Sequence, residues 1–124
     1  MADEVHRVAK KGCHAFSENP TKINYPSLHD AHWDPFWQAC SEENMVVNLH
    51  IGSSSSVVIT SIDTSVDTMI TLQPMSILQS AADLTWSPML RKFGDLKFAL
   101  SEGGIGWVPY FLERVDRVYK MHRA

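Results

Sequence analysis

Cysteine is scarce in this sequence. Only Cys13 and Cys40 occur among 124 residues, with no Cys-x-x-Cys pair. That excludes a disulfide scaffold and a thiol-based redox or zinc motif. Both cysteines sit among apolar neighbours, which predicts buried free thiols. Long apolar runs are also missing, and nothing approaches the roughly 20 residues that span a bilayer. Met1 to Gly12 is polar and charged, unlike a secretory leader. Positive charge is in the minority: 11 Lys and Arg stand against 14 Asp and Glu, for a net charge of -3. Such a surface is a poor partner for nucleic acid or an anionic membrane, and the six His add positive charge only at lower pH. There is no Gly-x-Ser-x-Gly elbow. The run Gly103-Gly104-x-Gly106 lacks both the dinucleotide spacing and the phosphate-loop lysine. The expectation is a soluble protein of a reducing compartment, by default the cytoplasm.

What is present suits one ordinary domain. The mass is 14.0 kDa, with 44% hydrophobic and 20% charged residues, near the average for globular proteins. Ala2 to Lys11 reads as an amphipathic helix stopped by Gly12, with Val5 and Val8 on one face. Cys13 to Phe16 reads as a short strand. A loop follows, through Glu18, Asn19 and Pro20 to about Trp33. Asp34-Pro35 signals a helix start, with Asp34 as the cap and Pro35 at the first helical position. Asn44 suits its end. Met45 to Ile51 is β-branched and apolar, which predicts a strand buried on both faces. Gly52 and the serines to Ser56 form a flexible polar stretch, and Val57 to Ile62 could form a strand by composition. A helical pattern from Ser65 to Phe93 is interrupted near Pro74 and Pro88, with Met75, Leu78, Gln79 and Ala82 on one side. Leu96 to Leu100 reads as a third strand. Val108-Pro109 opens a last helix, with Val108, Phe111, Leu112, Val115, Val118 and Tyr119 at helical spacing.

Alternating helices and strands with short joints predict parallel strands and right-handed crossovers. The expected fold class is α/β, with about three parallel strands and outer helices. So small a parallel sheet leaves two open edges, which suggests part of something larger.

In such folds ligands bind at the C-terminal ends of strands. Ser17-Glu18-Asn19, His50 and Ser101-Glu102 fall there. An imidazole at that place can bind a divalent metal. On spacing alone a core histidine bonded to backbone is the commoner case. Glu102, before two glycines, can bind metal, exchange a proton or orient a substrate, or simply accept bonds from turn amides. His29, Asp30, His32 and Asp34 form a dense polar cluster, which reads as a loop network because Asp34 is committed to capping. Trp33, Phe36, Trp37 and Trp107 suit core or interface.

Two stretches resemble a known family. His29 to Ser54, HDAHWDPFWQACSEENMVVNLHIGSS, is similar to the middle of metal-dependent amidohydrolases of the decarboxylase-like kind, the family of aminocarboxymuconate-semialdehyde decarboxylase and resorcylate decarboxylases. Leu90 to Arg123, LRKFGDLKFALSEGGIGWVPYFLERVDRVYKMHR, resembles the strand and helix that follow there. The resemblance implies a partial TIM-type (β/α) barrel over residues 1–124. Cys13 to Phe16 would lie near strand four, Met45 to Ile51 on strand five and Leu96 to Leu100 on strand six. It implies that His50 is a metal ligand and that Glu102 holds a catalytic position where many members carry histidine. It implies a divalent metal, zinc, and a small carboxylated or cyclic organic substrate. The family's His-x-His pair and strand-eight aspartate have no counterpart here, so the expected activity is that of a segment, with the chain alone inactive. Two other readings stand beside this one. One is an assembly module whose open edges pair with another copy or a complementary chain. The other is a small ligand-binding protein using the glycine turn.

Overall fold

The structure is a computed structural model and describes residues 1–17, 25–27, 30–51 and 57–122. Helix α1 (Ala2–Ala9) places Val5 in the core and Val8 at its edge. Asp3 and Glu4 oppose the positive end of its dipole. Arg7 forks onto Glu4, with Nε 2.7 Å from Oε2, and its guanidinium holds the Glu4 carboxyl below the usual carboxylate range. The helix stops where Gly12 takes φ +81, a conformation glycine adopts without cost.

Strand β1 (Ala15–Ser17) begins two residues later than the composition suggests. Cys13 precedes it and is half-buried, with Sγ donating to the Ala15 carbonyl at 3.0 Å. The expectation of two buried thiols therefore holds for Cys40 alone. The Glu18–Asn19 and His29 positions and the serine run lie outside the described residues.

Helix α2 (Asp34–Glu42) corrects a cap assignment. A 3-10 turn, Ala31–Trp33, runs straight into it, so the free amides lie upstream of Asp34. Asp30 caps them, its carboxylate accepting from the His32 amide at 2.7 Å. Asp34 instead pairs with Lys92. The helix ends at Glu42, and Asn44 turns the chain with φ +54, one of the few non-glycine residues that tolerates it.

Strand β2 (Val46–His50) is central, between β1 and β3 (Lys97–Ser101), and both pairings are parallel. Its burial alternates. Val47 and Leu49 are fully buried, while Val46 and Asn48 are half-buried and His50 is exposed. The expected two-sided burial is thus wrong: one face meets helices and the other stays partly open. In-register neighbours share a face, so Phe98 and Leu100 join Val47 and Leu49, and Ala99 and Ser101 join Asn48 and His50. Helix α2 covers the buried face, with Trp37 against Phe98 at 5.8 Å between ring centroids.

Val57 to Ile62 forms no strand. Ser65 then caps α3 (Val66–Leu72) by accepting from the Thr68 amide. Helix α4 (Met75–Trp86) buries Ser76, Ile77, Ser80, Ala81 and Leu84, and not the Met75, Leu78, Gln79, Ala82 side. Ser76 and Ser80 are tolerated inside because each hydroxyl donates to a backbone carbonyl of its own helix or turn, at 2.9 and 3.1 Å. Helix α5 (Met89–Lys92) leads into β3. Helix α6 (Val108–Met121) buries none of its residues, and its apolar side faces a groove of about 230 Å³ shared with Leu78, Ala82 and Trp86 of α4. Among the described residues no helix is long and apolar enough to cross a membrane.

Candidate functional site

Parallel register puts His50 opposite Ser101, so the residue after β3, Glu102, meets the imidazole. His50 Nε2 lies 3.4 Å from Glu102 Oε2. The two candidates converge at one end of adjacent strands, on the open face of the sheet. Their side chains are 45% and 66% exposed, so a ligand can reach them.

The imidazole is oriented locally. Its Nδ1 lies 2.8 Å from the Ile51 carbonyl oxygen. A carbonyl only accepts, so Nδ1 carries the proton and donates. Nε2 then faces the carboxylate. A cation held between the two atoms would be attracted by both. The donor set suits a divalent metal in two respects. A metal-ligating histidine characteristically donates its other N–H to a carbonyl. The imidazole nitrogen and the carboxylate oxygen 3.4 Å from it are both atom types that zinc accepts as ligands. These are two ligands only: among the described residues no group of three or more His, Cys, Asp or Glu could hold a metal.

Glu102 is held in an unusual way. Its φ is +62, in the left-handed region that costs an L-residue about 1–2 kcal/mol. Gly103 follows, buried against Ile77, and Gly104 has φ +62. The glycine run is therefore a packed turn. The carbonyls of Gly103 and Gly104 both accept from the Trp107 indole, at 2.9 and 3.1 Å. These contacts argue against the glycine turn as a separate ligand cradle.

The other polar cluster does not converge on this pair. Asp30 caps, Asp34 pairs with Lys92, and the His32 ring stands edge-on to Trp33 at 5.1 Å. Cys40 is no nucleophile, because burial pushes its thiol up to about 12. The sequence reading overlooked Asn48 and Ala99, which share the face of His50. The two-residue repeat of a strand was the signal that could have found them.

A family model described as amidohydrolase matches residues 1–124. No curated protein gives a match. The match spans both strand ends that carry His50 and Glu102, and the chain belongs to the amidohydrolase family.

Proposed function

We propose that this chain supplies the central segment of a metal-dependent hydrolase or decarboxylase acting on a small carboxylated or cyclic organic substrate, similar to the aminocarboxymuconate-semialdehyde decarboxylase branch. In this reading residues 1–124 are one partial domain corresponding to barrel strands four to six. The face that carries Asn48, His50, Ala99 and Ser101 then lines the barrel interior. The observation that carries the reading is the 3.4 Å approach of His50 Nε2 to Glu102 Oε2 at the C-terminal ends of parallel strands.

The roles follow from the atoms. His50 presents Nε2 to a divalent metal, zinc, while its Nδ1–H stays fixed on the Ile51 carbonyl. Glu102 is the catalytic carboxylate, its role to orient the substrate or to exchange a proton with it. When bound, the metal supplies Lewis-acid polarisation of a carbonyl or carboxylate and a more acidic water. Asn48 and Ser101 line the approach to the pair.

Three protein ligands are usual for a catalytic zinc, so the remaining ligands come from another part of the assembly and the isolated chain is inactive. A partner that completes the sheet is a second copy or a complementary chain. The half-open sheet face also supports the alternative of a non-catalytic assembly module. Cytoplasm is the proposed compartment.

The test is zinc binding by competition with a chromophoric chelator, alongside turnover assays with zinc or manganese. Weak binding lost in His50→Ala, without turnover, supports the reading. Binding that survives His50→Ala overturns the role of His50, and robust chelator-sensitive turnover overturns the inactivity of the isolated chain.

A further inference from the structure

We infer that Trp107 is a positioning residue for the His50–Glu102 pair, and that the glycine-rich turn is the device through which it acts. The inference rests on the reading of that pair as the site.

A non-glycine residue at φ +62 persists only when its surroundings hold it there. The holding groups are visible on both sides of Glu102. On one side β3 pairs with β2, and Ile51 donates to the Ser101 carbonyl at 3.3 Å. On the other side Gly103 passes so close to α4 that a Cβ there would lie 2.6 Å from Ile77 Cγ2 and 2.7 Å from Ile77 Cβ. The chain must therefore turn at once, and Gly104 takes φ +62 to do so. A single indole N–H, that of Trp107, donates to the carbonyls of both Gly103 and Gly104, at 2.9 and 3.1 Å.

The indole itself has little freedom. Trp107 is the residue before α6, and its carbonyl accepts from the Phe111 amide at 2.9 Å. The Phe111 ring stands edge-on to it at 5.7 Å. The start of α6 is thereby tied to the turn after β3, with Glu102 one residue upstream of the first clamped carbonyl and two upstream of the second. Without the N–H, the turn loses its closure, Glu102 is released toward ordinary backbone angles, and its carboxylate leaves Nε2 of His50.

The experiment reads the pair directly in the full chain. The ring proton and carbon signals of His50 are followed by NMR with and without Glu102→Gln, in the parent and in Trp107→Phe. Phenylalanine keeps a ring against Phe111 and removes the donor. Glu102→Gln shifts the His50 signals in the parent, and that shift is lost in the Trp107→Phe background. Trp107→His, which returns a ring N–H, restores part of it. Trp107→Leu removes the donor by a second route should the phenylalanine variant lose native signal dispersion. An equal His50 shift in the presence and absence of the donor overturns the inference, as does a parent in which Glu102→Gln leaves His50 unmoved. Zinc titration of the same samples separates the two ideas. If the parent binds no zinc but the shift still depends on Trp107, the site reading falls and the clamp stands. If the shift survives donor removal, the clamp falls whatever zinc does.

Discussion

Trp37 and Phe98 face each other at 5.8 Å across the joint between α2 and β3, although 60 residues separate them in the chain. This contact makes one core of the N-terminal helices and the third strand. Trp37→Ala is expected to cost about 3–5 kcal/mol. The Trp37 indole N–H is buried with no hydrogen-bond partner among the described residues. Trp37→Phe therefore removes an unsatisfied donor along with some volume, and its cost should be clearly smaller. Urea unfolding of both variants is the check. Equal losses would mean that the indole N–H is bonded after all.

Replacing Glu102 by glycine should stabilise the fold while removing the carboxylate. The left-handed conformation costs an L-residue about 1–2 kcal/mol, and glycine's greater unfolded-state freedom takes back about 0.5–1 kcal/mol. A net gain of up to about 1.5 kcal/mol follows, or about 6 °C in Tm at this size. Calorimetry reads the gain. A lower Tm would show that the pairing with His50 outweighs the backbone strain.

Cys40 links stability to alkaline pH. Its thiol is raised from the ordinary 9.0 to about 12 by burial in the core. The folded state therefore keeps a proton that the unfolded chain loses above pH 9. That contribution is fully present below pH 9 and is lost between pH 9 and 12, at about 1.4 kcal/mol per pH unit. Cys40→Ala should flatten this part of the stability curve. In the native protein, a thiol reagent at neutral pH should label Cys13 and spare Cys40.

The open side of the sheet bears on association. Half-buried Val46, Asn48 and Ala99 lie in a sheet whose outer strands β1 and β3 pair with no further strand among the described residues, and α6 buries none of its residues. Sedimentation at micromolar concentration should show species heavier than 14.0 kDa, together with binding of a hydrophobic dye. A single 14.0 kDa species with a cooperative melt and no dye binding would show a core closed within one chain.

Much of the element order was legible because local chemistry marks the ends. Gly12, Asn44, Pro74, Pro88 and Pro109 punctuate the chain where backbone angles or missing N–H groups demand it. Asp34 misled because a capping side chain reads the same whether or not a 3-10 turn precedes it. The sequence did not show which side of α4 is buried, because serines that bond their own helix can go inside while Leu78 and Ala82 line a groove beside α6.

By itself the sequence determined most of the helices and the three strands, though not the absence of one at Val57 to Ile62, and placed His50 and Glu102 at strand ends, since propensity, caps and periodicity act over a few residues. Tertiary structure alone decided which face of β2 is covered, how Asp34 is used, and how Trp107 closes the turn after Glu102. Those outcomes depend on strand register and on which helix packs where, and both are set by contacts between residues far apart in the chain.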